Sequence, residues 1–264
     1  MKLPYTHVNA FADRPFTGNQ AAVMPLESWL DDEVLQAIAA ENMFAETAFV
    51  IPDAGGETDY ELRWFTPTEE VRLCGHATLA SGHVLLGQDG GDRVTFRTRL
   101  AGNLEVRRVD AGYEVGLPLI ETAPEPWDEA VRLLGVEPQE VWRNDTRYNV
   151  FLYDSAETVR ALDPDLRGLG ALGNDQFICT APGEGSDVLS RVFVPGGGVD
   201  EDSVTGSAHA VLTHFWTERL ERDNFTAHQA SARSGTLTCR RDGATAWLGG
   251  NCVTVVEGSF YLEG

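Results

Sequence analysis

Arg63-Trp-Phe-Thr-Pro67 followed by Cys74-Gly-His-Ala77 recurs later in the chain as Arg191-Val-Phe-Val-Pro195 followed by Thr205-Gly-Ser-Ala208. The shared pattern is R-x-F-x-P, a loop with acidic residues, and then G-x-A opening an apolar segment. Two copies mark an internal duplication and not a solenoid, which needs more repeats to bury a core. The segments that follow G-x-A, residues 77–86 and 208–216, are apolar around most of a helical circumference, and a helix of that kind is buried on most sides. Its cover has to be strand: residues 7–11, 47–51, 60–65, 93–98, 104–109 and 113–117 form short alternating stretches. The expectation is an α+β protein with two pseudo-symmetric halves, each a curled, mostly antiparallel, barrel-like sheet around a central helix.

Working outward, residues 26–42 carry Leu30, Val34 and Ile38 at helical spacing, and Ser28 is the expected N-cap of a surface helix. The Pro- and Glu-rich stretch 117–127 is the natural junction, which divides the chain into an N-terminal half, 1–117, and a C-terminal half, 118–264. The last strand is free to cross back to the first half. Ligand sites favour the cleft between duplicated halves, so the active site is expected there. Each G-x-A helix start offers backbone N–H groups without intrahelical acceptors, and its glycine either admits a ligand close to the backbone or merely permits a tight strand-to-helix turn. Together they suit a small anionic, carboxylate-bearing metabolite.

The 264 residues are enough for one large domain or two smaller ones. Forty-one acidic against twenty basic side chains give a formal charge of -21, which disfavours nucleic acid and anionic membrane surfaces as partners. The opening residues lack the apolar run of a signal peptide, and the expected location is cytoplasmic. Cys74, Cys179, Cys239 and Cys252 show no C-x-x-C spacing, and the histidines show no H-E-x-x-H or H-x-H pattern. No metal site is expected from these spacings.

Four side chains stand out. Glu46 opens an otherwise apolar strand, Ala45-Glu-Thr-Ala-Phe-Val50, where a carboxylate at the edge of a core can carry a proton near neutral pH or stand as an ordinary solvated strand end. His76, between Gly75 and Ala77, can bind, relay a proton or simply pack. Asp202 and Ser207 flank Gly206 at the second helix start, where both could also be plain loop and helix-start residues. Gly206-Ser207 lacks the G-x-S-x-G elbow of a serine hydrolase. Cys74 sits where a helix start would stabilise a thiolate, but its counterpart is Thr205, so the thiol pair of a two-base racemase is absent.

Residues 8–23, Glu46-Thr-Ala-Phe-Val50, Arg63-Trp-Phe-Thr-Pro67, Leu73-Cys-Gly-His-Ala-Thr78, Asp202-Ser-Val-Thr-Gly-Ser-Ala-His209 and Gln229-Ala-Ser-Ala-Arg-Ser-Gly235 together resemble the PhzF family of phenazine-biosynthesis isomerases and their relatives. The resemblance runs from about residue 7 to the end, in order. It implies the diaminopimelate-epimerase-like fold, cofactor-free proton transfer at carbon, and a homodimer. It implies Glu46 as the general acid/base, and His76, Asp202 and Ser207 as substrate-binding residues with the amides at Gly75 and Gly206. Ser203 stands where the family usually has proline, a change expected to loosen the loop that carries Asp202. The competing expectations are an epimerase or racemase of an amino-acid-like substrate, and a non-catalytic binding protein that keeps the fold.

Overall fold

The computed structural model describes residues 1–110 and 112–262. Two compact units form, Met1–Pro118 together with Trp247–Gly264, and Leu119–Ala246. In the first unit β1 (Lys2–Ala10), β2 (Asn19–Pro25), β3 (Glu46–Pro52), β4 (Tyr60–Phe65), β5 (Glu70–Val71), β6 (Arg93–Thr98), β7 (Asn103–Val109) and β8 (Gly112–Pro118) accompany helices α1 (Asp32–Asn42) and α2 (Gly75–Asp89). β1–β2 is antiparallel, β2–β3 parallel and β3–β4 antiparallel. β4 then takes β5 antiparallel on one stretch and β6 parallel on another, and β6–β7–β8 continues antiparallel.

The second unit contains β9 (Ala123–Pro124), α3 (Asp128–Leu134), β10 (Glu140–Arg143), β11 (Tyr148–Leu152), α4 (Ala156–Ala161), α5 (Leu166–Ala171), β12 (Gln176–Pro182), β13 (Val188–Val194), β14 (Val199–Glu201), α6 (Gly206–Leu220), β15 (Asn224–Gln229) and β16 (Gly235–Asp242). Its ladder repeats the first: β10–β11 antiparallel, β11–β12 parallel, β12–β13 antiparallel, then β13 with β14 antiparallel and with β15 parallel, then β15–β16 antiparallel. The duplication read from two short motifs therefore extends to six successive strand pairings. β17 (Thr245–Gly250) leads back into the first unit, where β18 (Cys252–Tyr261) pairs antiparallel with β1.

Five of the six alternating stretches fall wholly in strands, and the stretch 7–11 runs one residue past the end of β1. β2 shows no alternation: Ala21, Ala22, Val23 and Met24 are apolar and buried in succession, and both faces of the strand are covered. A parallel strand covered on both sides reads as a continuous apolar run. The surface helix begins later than expected: α1 starts at Asp32 with Asp31 as its N-cap, so Ser28 caps nothing. The backbone N–H of Leu26 donates to Val50 O at 2.8 Å and the Trp29 Nε1–H donates to Glu61 Oε2 at 3.2 Å, so residues 26–29 are held to the strands. α1 covers the outer face with Leu35, Ile38 and Ala39, packed on Leu3, Met24, Phe49 and Phe65. In the second unit α3, α4 and α5 do the same with Leu133, Leu134, Val159 and Leu169 over Phe151, Phe177 and Phe193.

α2 packs against β1, β2, β3, β6, β7, β8 and β18, and is buried from Gly75 to Gly82 without interruption. Gly82 lets it come this close: a Cβ there would lie 2.3 Å from the Val106 side chain of β7. Hydroxyls inside the two central helices bond back one turn, Thr78 and Ser81 to the carbonyls of Cys74 and Ala77 in α2, Thr213 and Thr217 to those of His209 and Thr213 in α6. These bonds satisfy polar groups that burial would otherwise penalise.

The repeated arginines brace the loops before each helix. Arg63, 3% exposed, donates from Nε and Nη2 to the two oxygens of Glu70 at 2.8 and 2.7 Å, and from Nη1 to Asp32 Oδ1 at 2.8 Å. Arg191 donates from Nε and Nη2 to Glu201 at 2.7 and 3.0 Å, and from Nη1 to Leu162 O at 2.6 Å. The bidentate fork fixes direction as well as charge, so each R-x-F-x-P strand holds the acid on the short strand that leads to its G-x-A turn.

Candidate active site

In the first unit the turn at Gly18 delivers Asn19 to the start of β2. Gly18 has φ +68°, and a Cβ there would lie 2.3 Å from Ala10 O, so the turn requires glycine. Parallel pairing sets Ala21 opposite Glu46 at the start of β3. Cys74 is the N-cap of α2 with extended backbone, and Gly75 and His76 form its first turn.

These three elements meet at one imidazole. His76 Nε2 lies 3.1 Å from Glu46 Oε2, at ion-pair distance but without the alignment of a well-formed hydrogen bond. On the other side of the ring, Nδ1 lies 3.1 Å from Asn19 Nδ2 and 3.6 Å from Cys74 Sγ. The His76 side chain is 4% exposed and that of Glu46 17%. The imidazole is sealed while the carboxylate keeps an opening.

Burial works against charge on His76, but negative charge on Cys74 and Glu46 outweighs it and pushes the ring well above the ordinary imidazole range. Burial first, and the Glu46 charge second, push the Cys74 thiol up to about 11. Near neutral pH the thiol is therefore protonated, and the Glu46 carboxylate is the negative charge that holds the second proton on the ring. Cys74 is an inert neighbour under these conditions, since only a thiolate is a good nucleophile.

Glu46, Cys74 and His76 each bring one donor atom within 4.8 Å of the others, a cluster that the residue spacing in the sequence does not reveal. The arrangement does not suit a single ion. The carboxylate addresses Nε2 and the thiol addresses Nδ1, and an ion on either nitrogen faces away from the donor at the other.

In the second unit α6 starts at Gly206 with Thr205 as its extended N-cap. Asp202 Oδ2 accepts from the Thr205 hydroxyl at 2.6 Å, and its Oδ1 accepts from the Ser203 N–H at 2.9 Å. Gln229 of β15, fully buried, accepts from the Thr205 N–H at 2.8 Å and donates to Asp202 O at 2.7 Å. Ser231 Oγ donates to Ser203 O at 2.6 Å. The loop expected to be loose for want of a proline is tied down by these two side chains. Ser207, 6% exposed, accepts from Gln176 Nε2 at 3.4 Å, while Gln176 Oε1 is buried without a partner.

His209 of α6 is fully buried, with Nδ1 2.8 Å from Thr205 O. Burial is the main cause that lowers it to about 4, so the ring is neutral and donates from Nδ1 to that carbonyl.

The structure thus gathers Glu46, Gly75 and His76 in one unit, and Asp202, Gly206 and Ser207 around one helix start in the other. Sequence reading assigned no role to Asn19, Gln176 or Gln229. Gln176 was within reach of the repeat, because the strand before R-x-F-x-P opens with Glu46 in one half and Gln176 in the other. Among the described residues no helix is long and apolar enough to cross a membrane.

Comparison with known proteins follows the same lines. The model of the phenazine biosynthesis-like protein family matches residues 8–258. An uncharacterized isomerase of Pseudomonas aeruginosa is 43% identical, with all of both chains aligned. The crystal structure of a PhzF-family phenazine biosynthesis protein from Enterococcus faecalis superposes with a TM-score of 0.91 at 38% identity, covering 99% of this chain and 100% of that one. A hydroxyproline epimerase from Agrobacterium vitis shares the fold alone, with a TM-score of 0.62 at 12% identity over 98% of this chain and 92% of that one. By its family match, its close relatives and its duplicated fold, the chain belongs to the PhzF, phenazine biosynthesis-like, family.

Proposed function

We propose that the protein is a cofactor-independent isomerase that shifts a proton between carbon positions of a small carboxylate-bearing metabolite, with Glu46 as general acid/base. The observation that carries this reading is the Glu46–His76 pair, a partly open carboxylate 3.1 Å from a buried imidazole at the start of the central helix. Glu46 takes the proton from a carbon next to a carbonyl or conjugated double bond. The C–H electron pair delocalises into that system, and the same carboxyl returns the proton to another carbon, so atoms and charge balance without a metal or nucleotide.

Oriented N–H groups at a helix start stabilise negative charge that develops on deprotonation, and Gly75 opens the helix that carries His76. The family resemblance supports the amide at Gly206, with Asp202 and Ser207, as further substrate contacts. The names of the relatives support the reaction class: two curated relatives from Pseudomonas aeruginosa, 43% and 42% identical, are called isomerases.

The test starts with a panel of carboxylate metabolites, since a true ligand raises the melting temperature by mass action. Wild-type protein with a stabilising compound in deuterated water should place deuterium at carbon in a product with a shifted double bond. Glu46→Gln should bind the compound and slow exchange by about a hundredfold or more. Equal exchange in both proteins removes Glu46 from the mechanism. Deuterium at the original carbon with inverted configuration replaces the reading with an epimerase.

A further inference from the structure

The two halves differ where the strand that carries the repeated arginine changes partners. β4 pairs with β6 over Tyr60–Leu62 and with β5 over Trp64–Phe65, while β13 pairs with β15 over Val188–Ser190 and with β14 over Phe193–Val194. In the second unit side chains close the resulting seam: Gln229 donates to Asp202 O and Ser231 donates to Ser203 O. Counted from the helix starts Gly75 and Gly206, the corresponding residues of the first unit are Thr98 and Leu100. The Thr98 hydroxyl donates to Gly102 O in its own turn, and Leu100, 64% exposed, has no polar side-chain group to offer. The seam in this half stays open as a pocket of about 250 Å³.

Leu62, Trp64, Val71 and Leu100 give this pocket apolar walls, and Arg72 and Arg99 add cationic ones. Arg63 and Arg99 share the carboxylates of Glu70 and Asp32. Arg72, which is exposed, has no ion-pair or hydrogen-bond partner among the described residues. Trp64 is 2% exposed, and its Nε1–H, which can only donate, is buried without an acceptor. A buried donor left in this state is a cost that an incoming acceptor relieves. A cavity of about 150 Å³ takes one benzene ring, so this pocket has room for a ring and its acid group. Glu46, Cys74 and His76 do not line it.

We propose that the open seam binds a small organic acid, an apolar body of about one ring that bears a carboxylate. The body lies against Trp64 and the leucines, and the acceptors of the acid meet Arg72 and the Trp64 N–H. Arg72 stands three residues before Gly75, and its counterpart is Ser203, whose carbonyl Ser231 holds. A bound acid therefore braces the segment that leads to His76, as Gln229 and Ser231 brace the loop that leads to Ser207. Glu46 has no part in this site, which stands apart from the isomerase mechanism.

The experiment is a titration of the full chain with sodium benzoate at neutral pH, followed in ¹H–¹⁵N spectra of the indole and imidazole groups with sequentially assigned resonances. The Trp64 Nε1–H signal should move and saturate. Arg72→Glu should weaken binding by about tenfold or more, the scale of one charge-assisted hydrogen bond. Arg167→Glu, the same charge change on α5 of the second unit, should leave binding unchanged. Inorganic phosphate, an anion without an apolar body, should not move the Trp64 signal at the same concentration. A Trp64 signal that benzoate leaves in place overturns the proposal, and so does movement of the His76 ring signals alone, which puts the acid at the Glu46–His76 pair. Equal affinity in wild type and Arg72→Glu, or an equal response to phosphate and benzoate, overturns it as well. Glu46→Gln should bind benzoate in the seam like wild type whether or not it slows exchange, so failure of the isomerase mechanism and failure of this site are separate results.

Discussion

At one topological position the first half of the molecule sets a carboxylate beside an imidazole, and the second half sets an amide beside a hydroxyl. Glu46 and Gln176 each open the strand that is parallel to its predecessor and antiparallel to the R-x-F-x-P strand. Each reaches the second residue of its central helix, His76 at 3.1 Å and Ser207 at 3.4 Å. The caps differ in the same way, a thiol at Cys74 and a hydroxyl at Thr205. The scaffold was duplicated, but a carboxylate paired with an imidazole stands at this position in one copy only. The second copy keeps polar, non-titrating groups there. Its own buried imidazole, His209, is turned the opposite way: burial forces it down to about 4, while His76 is pushed up.

The sharpest way to break this comparison is to remove the difference. Glu46→Gln makes the first half resemble the second, and substrate-dependent carbon–deuterium exchange should fall by about a hundredfold or more. Wild-type exchange in this variant would mean that the contrast has no catalytic meaning.

The features the halves share should instead govern stability. Arg63→Leu strands the Glu70 carboxylate beside a buried surface and should cost about 3 kcal/mol, read as a lower denaturant midpoint, and Arg191→Leu should cost a similar amount. A loss under about 1 kcal/mol from either variant would show that the braces are surface pairs in effect.

His209 tests the second half by pH. Its folded value, about 4, lies below the ordinary value of 6.5, so between these two the unfolded chain binds more protons. The stability held by the neutral ring is full above pH 6.5 and is lost as pH falls toward 4, by up to about 3 kcal/mol. Urea unfolding at pH 7 and pH 4.5 should show a larger drop for wild type than for His209→Gln. Equal drops would show that the ring is already charged in the native state.

The smallest effect is expected at Gln176. Its Ser207 contact is a neutral hydrogen bond, and Gln176→Ala should slow exchange by less than about tenfold, on the order of 1 kcal/mol. A loss as large as that of Glu46→Gln would place both halves in the chemistry.

By itself the sequence determined the duplication, the central helices and the family. These rest on local signals, since R-x-F-x-P and G-x-A are short contiguous motifs and an apolar helix announces its own burial. It also pointed to Glu46 and His76 as separate candidates, through the company each keeps along the chain. Local signals failed where burial on both faces erased the alternation of β2, and where the strand contacts of Leu26 and Trp29 delayed the start of α1. Only the tertiary structure decided that Glu46 and His76 touch, that Asn19 and Cys74 flank the same ring, and that Gln229 and Ser231 restrain the loop at Ser203. The physical reason is the parallel pairing of β2 with β3 and of β13 with β15. Each parallel pair is joined by a long crossover, so the residues it brings together are far apart in the chain, and no periodicity or spacing records their contact.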